Sequence, residues 1–302
     1  MYHGEIASIV SSDKNIAISI ADKLGKLHEN SNTKIYYRKR GEYIRSILIS
    51  TNYPEKILDL AELISLSSLV IFHLPVELSW MDGELAMLID AFNIHNKIIT
   101  SNLDITKIKK ILEPLGSFRQ FELNNDLNEI QEFKKEEDKG LVYIDRVFTV
   151  KGVGTVVTGF SFANIELHEK LIALPYNKEV EIKSIQVLDE DQKSVGSGVR
   201  VGFALKNAKE DEVKDTMYLI KHNVKFEKEI EGRLVKYPWS TLNQGQNHVI
   251  IKGHSISVNI KLNEGKIKIT SQHPIPIIDS QIPLLNVNVK QGKPRIVGYI
   301  IL

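Results

Sequence analysis

The chain has no cysteine among its 302 residues, which excludes disulfides, thiol nucleophiles and cysteine-ligated zinc, and gives no sign of an oxidising compartment. It has no apolar run near the roughly 20 residues that a bilayer-crossing helix needs. The polar start Met1–Gly4 leads into no signal-peptide core, so no membrane association and a cytoplasmic location are expected. Its nine histidines never fall into an H-x-x-x-H or H-E-x-x-H spacing, so no metal site is expected. Low-complexity segments and short-period repeats are also missing.

What remains is an ordinary soluble composition, 42% hydrophobic and 25% charged, in a chain long enough for two or three domains. The net charge is only +1 but unevenly spread: residues 223–302 hold 11 Lys+Arg against 5 Asp+Glu, and residues 1–222 hold 28 against 33. A basic final third is compatible with RNA contact and equally with a lysine-rich solvated β surface.

Residues 1–137 alternate strand and helix patterns. Glu5–Val10, Arg45–Ser50, Leu69–Leu74 and Lys97–Thr100 read as strands, and Asn15–His28, Lys56–Ser67 and Met81–Phe92 as amphipathic helices. That alternation predicts a mainly parallel sheet covered by helices. The charged stretch 131–139 reads as a linker. From Gly140 onward short Val/Ile-rich runs recur between Gly and Asn turns, including Val180–Val187, Ser255–Leu262 and Lys266–Ile269, the pattern of β-barrels or sandwiches. Asp189–Gly198 is a turn-rich break, and a boundary falls near residue 223, giving domains 1–137, 140–222 and 224–302.

One stretch stands out. Ile144–Gly159, IDRVFTVKGVGTVVTG, is a β-hairpin in which Val and Thr suit a half-buried pleat and Gly152 and Gly154 allow a tight turn. With GSGVRVGFALK at Gly196–Lys206, it resembles the second domain of translational GTPases, in particular the selenocysteine-specific elongation factor branch. LIALPYNKEVEIKSIQV at Leu171–Val187 resembles the strands that follow, although His168-Glu169 stands where the family has a Gly-Asp turn. PRIVGYIIL at Pro294–Leu302 resembles the last strand of the third domain. The resemblance implies the layout of elongation factor Tu: a P-loop-GTPase-like α/β domain followed by two β-barrels.

The nucleotide motifs that this layout implies are altered. A phosphate loop, G-x-x-x-x-G-K-[ST], uses glycine N–H groups, a lysine and a metal-binding hydroxyl. Here the first strand runs into SSDKNIAIS, with Lys14 and Asn15 in place of the lysine and hydroxyl and no glycine between Gly4 and Gly25. The bland reading is a solvated turn with Asn15 capping a helix. The family's Asp-Thr-Pro-Gly-His loop aligns with Ser50-Thr51-Asn52-Tyr53-Pro54, so Ser50 replaces the metal-bridging aspartate, Tyr53 the phosphate-binding glycine and Pro54 the water-orienting histidine. The guanine loop reads Ser101-Asn102-Leu103-Asp104: Asp104 keeps the base-reading position and Asn102 replaces the lysine. Asp104 or Thr106 as a helix cap is the plainer alternative.

Other residues weighed are His248, His254 and His273, as RNA-facing or ordinary surface histidines. Tyr36-Tyr37-Arg38-Lys39-Arg40 is read as a nucleic-acid strip or as an exposed strand. Trp80 and Trp239 are expected as packing anchors, and Asp82 and Glu84 as surface carboxylates at a helix start.

The resemblance leads to the expectation of a monomeric elongation-factor-like pseudo-GTPase. It would hydrolyse no GTP, carry no cofactor and bind tRNA, ribosome or another translation factor. Two alternatives stay open: an atypical GTP- and Mg-binding elongation factor of the selenocysteine-specific type, and a protein-only regulatory adaptor. The chain stops at the third barrel, so the RNA-reading fourth domain of some relatives is not expected. Without a nucleotide sensor, one fixed domain arrangement is expected.

Overall fold

The computed structural model describes residues 1–127, 130, 132, 137–243, 245–263 (of 263 the backbone only), 266–290 and 292–302. The linker read at 131–139 falls largely outside them.

The first unit is a seven-stranded sheet. In chain order its elements are β1 (His3–Val10), α1 (Lys14–Leu24), β2 (Lys26–Asn30), β3 (Thr33–Arg40), β4 (Tyr43–Ser50), α2 (Ile57–Leu66), β5 (Leu69–His73), α3 (Trp80–Phe92), β6 (Asn96–Thr100), α4 (Ile105–Leu112) and β7 (Glu122–Leu123). The strand order is β2-β3-β4-β1-β5-β6-β7. β4-β1-β5-β6-β7 are parallel, and β2 and β3 form an antiparallel edge on β4. The central strands are apolar on both faces, as helix-covered parallel strands must be: Leu69–Phe72 and Ile98–Ile99 are all at most 1% exposed. Burying each such Ile, Leu or Phe contributes about 1.5–3 kcal/mol.

The first helix is shorter than its sequence pattern. It ends at Leu24, and residues 26–30 form the edge strand β2. Gly25 breaks the run; a Cβ there would come within 3.0 Å of the Tyr37 carbonyl oxygen and of the Ile47 side chain. The strip Tyr36–Arg40 belongs to β3, with Tyr36 buried.

The second unit contains β8 (Leu141–Val150), β9 (Gly154–Phe162), β10 (Ile165–Glu166), β11 (Lys170–Leu174), β12 (Lys178–Val187), β13 (Glu190–Gln192), β14 (Ser194–Val195), β15 (Val199–Lys206), α5 (Glu210–Val213) and β16 (Tyr218–Ile220). β11 pairs with both β16 and β12, so six strands run in a closed circuit, β11-β16-β8-β9-β15-β12. The hairpin at 144–159 is β8 and β9, closed at Val150↔Gly154, with Gly152 at φ +83° in the turn.

The third unit is a closed barrel, β17-β20-β19-β18-β21-β22. Its strands are β17 (Phe226–Lys236), β18 (Gly245–Ile251), β19 (His254–Asn263), β20 (Lys266–Pro276), β21 (Gln281–Leu285) and β22 (Ile296–Ile301). No helix among the described residues is long and apolar enough to cross a membrane.

The three units are joined by direct bonds. The start of the chain pairs with the second unit: Gly196 N–H donates to Tyr2 O (2.8 Å), Gly4 N–H donates to Ser197 O (2.9 Å), and Tyr2 bridges Val195. Only glycines tolerate this approach, since a Cβ on Gly198 (φ +80°) would stand 2.0 Å from Gly4 O. Glu29 on β2 pairs with Arg146 and Arg200 of the second unit.

The barrel shares an apolar core with α2 and α3, in which Tyr237, Ile250, Leu285 and Ile296 pack with Ile57, Leu85 and Ile89. Between the second unit and the barrel, His254 Nε2 lies 3.1 Å from Ile144 O and 3.0 Å from Met217 O, and its ring meets Tyr143 and Tyr218. His254 is therefore a seam residue, neither RNA-facing nor a surface histidine. His273 is exposed and His248 partly so.

Candidate functional site

Open parallel sheets bind ligands beyond the carboxyl ends of their strands. In this sheet that edge carries the turns after β1, β4, β5 and β6.

Three residues, Ser11–Asp13, connect β1 to α1. Asp13 caps the helix, its Oδ1 accepting the Asn15 N–H at 2.8 Å. Asn15 is thus the capped residue and not the cap, and the anion-attracting end of the helix already holds a carboxylate. Lys14 and Asn15 are exposed. Ser12 Oγ donates to Asp82 Oδ1 (2.6 Å), and Ser79 donates to Asp82 Oδ2 through its N–H and Oγ (2.8 Å each).

The loop after β4 is tied to the barrel. Ser50 is buried. The Tyr53 phenol lies 3.2 Å from Met81 O and from Glu84 Oε2, and burial pushes it well above the usual tyrosine range, with the Glu84 charge adding to the effect. Arg295, immediately before β22, meets Glu84 from its N–H (2.9 Å to Oε1), Nε (3.1 Å to Oε1) and Nη2 (2.6 Å to Oε2), and its Nη1 donates to Pro54 O (2.7 Å). Asp82 and Glu84 are 2% and 3% exposed. The expectation of surface carboxylates fails because their partners, Ser12 and Arg295, come from elsewhere in the chain. A buried ion pair is stable only with such hydrogen-bond satisfaction.

The loop after β6 is a turn: Ser101 Oγ accepts the Leu103 N–H (3.0 Å), and Asn125 bonds the Ser101 backbone from both ends of its amide (2.8 and 2.9 Å). Asn102 is exposed. Asp104 caps α4, accepting the Thr106 N–H at 2.8 Å, and that bond holds its carboxyl below the usual range.

Lys14, Asn15, Ser50, Tyr53, Pro54, Asn102 and Asp104 therefore share one edge of the sheet, yet none lines the cavity beside it. That cavity, about 760 Å³, opens between the start of α3, the end of α4 and the barrel loops. Trp80 and Trp239 line it and are 65% and 47% exposed, so they are not packing anchors. Leu78, Ile111, Val287 and Val289 add apolar wall, and Lys290 and Lys293 stand on the β21–β22 side. Neither lysine has an ion-pair partner among the described residues. The Trp239 ring stacks on Tyr237 (6.4 Å, 23°), whose hydroxyl donates to Asp90 Oδ2 (2.5 Å). The one signal for this cleft in the sequence was its two tryptophans.

No protein-family model matches the chain. It is 31% identical over 271 residues to the uncharacterized protein MJ0325 of Methanocaldococcus jannaschii, covering 85% of this chain and 87% of that one. It is 40% identical over 112 residues to the selenocysteine-specific elongation factor of the same organism, a match spanning 35% of this chain and 24% of that factor. The elongation factor SelB of Methanococcus maripaludis, solved with the GTP analogue GppNHp, superposes over 99% of this chain and 79% of its own with a TM-score of 0.77 at 14% identity. The α/β unit followed by two β-rich units is thus the architecture of SelB-type elongation factors.

Proposed function

The chain belongs to the family of the uncharacterized protein MJ0325, and from that premise we propose that it is a translation-factor-like binding protein that works without GTP hydrolysis. The carrying observation is the three-residue turn between β1 and α1, whose Asp13 already caps the helix where a nucleotide phosphate would sit. A phosphate placed there would displace one carboxylate and face a second, buried, at Asp82. The Tyr53–Glu84–Arg295 contact supports the same reading, since it bonds the loop that would sense a γ-phosphate to the barrel. Asp104 serves as a helix cap.

In this reading the second unit and barrel dock on tRNA, ribosome or another translation component, and the protein acts as a cytoplasmic monomer in one fixed arrangement. The partial match to a selenocysteine-specific elongation factor and the basic final third support an RNA partner.

The test is a titration with a fluorescent GTP analogue and magnesium, beside co-sedimentation with tRNA and ribosomes over a salt series. The expected result is no nucleotide binding tighter than about 10 μM, roughly 7 kcal/mol, and RNA binding that weakens steeply with salt. Nucleotide-dependent hydrolysis above background overturns the reading.

A further inference from the structure

We infer that the cleft between α3 and the barrel binds an unpaired nucleotide, its base stacked on an exposed indole and its phosphate against Lys290 and Lys293. This rests on the RNA-binding reading above and assigns that contact to a place outside the carboxyl edge of the sheet.

Four observations converge on it. The cavity, about 760 Å³, falls within the size range of small-ligand pockets. Trp80 and Trp239 line it with 65% and 47% of their surface exposed, where apolar side chains of this size are ordinarily covered.

Trp239 is also a backed platform. Its ring stacks on Tyr237, and Tyr237 is fixed by bonds to Asp90 and to Met87 O (3.2 Å). A ring held in this way loses little freedom when a second ring stacks on it. Base–indole stacking is tolerant of sequence and is worth about five- to hundredfold in affinity per base.

The charges complete the match. The two carboxylates lining the cavity, Asp82 and Glu84, are buried and bonded to Ser12 and Ser79 and to Arg295. Arg295 neutralises Glu84, serines alone bond Asp82, and Lys290 and Lys293 have no ion-pair partner among the described residues, so the charged residues of the lining, three cations against two carboxylates, sum to +1. Aromatic surface beside uncompensated cations is the arrangement that holds single-stranded nucleic acid. A free nucleotide and the unpaired end of an RNA strand share this chemistry.

The chain's two tryptophans both line this cavity, so tryptophan fluorescence, excited selectively over tyrosine, reports on it. The experiment titrates the full-length protein with unstructured oligo(A) and oligo(U) of about 12 nucleotides, with AMP and UMP, and with an acidic apolar peptide. In parallel, anisotropy of labelled oligonucleotide is measured for the wild type, Trp80→Leu, Trp239→Leu and Lys290→Ala/Lys293→Ala. Circular dichroism checks that each variant is folded.

Quenching by the oligonucleotides, with binding weakened roughly tenfold in the lysine variant and at least fivefold in each tryptophan variant, is the expected result. Equal quenching by AMP or UMP at the same phosphate concentration assigns the site to a free nucleotide rather than a strand end. RNA binding without quenching, unchanged in the variants, overturns this site and leaves the RNA-binding reading standing. No RNA binding in any assay overturns both. Quenching by the acidic peptide alone overturns the inference in favour of a protein partner.

Discussion

The carboxyl edge of the sheet and the cleft beside it meet at the first turns of α3 and differ in what they leave unpaired. At the edge, Asp13, Asp82, Glu84 and Tyr53 are each hydrogen-bonded within the chain. In the cleft, two indoles are largely exposed and two lysines lack an ion-pair partner among the described residues. One helix serves both: Asp82 and Glu84 line the cleft with their carboxylates bonded to Ser12, Ser79 and Arg295, and Trp80 opens onto the cleft exposed. A fold can keep its ligand-bearing edge in place while its side chains satisfy one another there, and present its unsatisfied surface one helix turn away.

The sharpest way to break this contrast is to open the edge. Arg295→Ala leaves the buried Glu84 without its cation, with only the Tyr53 phenol and the backbone N–H of residue 295 beside it, and a loss of roughly 3–5 kcal/mol is expected, read as a lower urea midpoint. A loss below about 1 kcal/mol would mean that the edge is not held by the barrel. Tyr237→Phe removes the bonds to Asp90 and Met87 O and is expected to cost about 1–3 kcal/mol. A red shift of the tryptophan emission in the Trp80→Leu background, without loss of fold, would show the platform loosening on its own.

A smaller effect tests the seam that holds the barrel against the second unit. Burial keeps the His254 imidazole below the ordinary histidine range, against the opposing pull of the Met217 and Ile144 carbonyls and the Asp145 charge. The unfolded chain therefore binds this proton first as pH falls through about 6.5, and stability declines below that value. His254→Asn is expected to flatten the change in urea midpoint between about pH 7.5 and 5.5, by at most about 1.4 kcal/mol per pH unit. An unchanged slope would remove His254 from the seam's titration. The smallest effect is a null: millimolar GTP with magnesium should leave the melting temperature unchanged, since a ligand that does not bind the folded state cannot stabilise it.

The hairpin at 144–159 was legible because Val/Thr alternation and a glycine turn are local signals, and the same holds for the buried runs of β5 and β6. The positions of Lys14, Ser50, Tyr53, Pro54 and Asn102 near the carboxyl ends of β1, β4 and β6 could also be placed from sequence. Their surroundings could not. Asp82 and Glu84 look like solvated helix-start carboxylates until Ser12 and Arg295 arrive from remote parts of the chain, and nothing local reports that. Trp80 and Trp239 look like core residues by type, and only the gap between α3 and the barrel leaves them exposed. Leu27 continued a helical pattern that Gly25 had already broken. Local periodicity carried the elements, and long-range pairing decided which side chains were used up.

The backbone ladder between Tyr2–Gly4 and Val195–Gly198 bears on how the molecule assembles. Its two halves lie some 190 residues apart, so β1 waits for most of the second unit to be synthesised before its outer contacts form. Contacts of such sequence separation slow folding. A nascent chain halted before the second unit would leave the Gly4 N–H without its Ser197 acceptor.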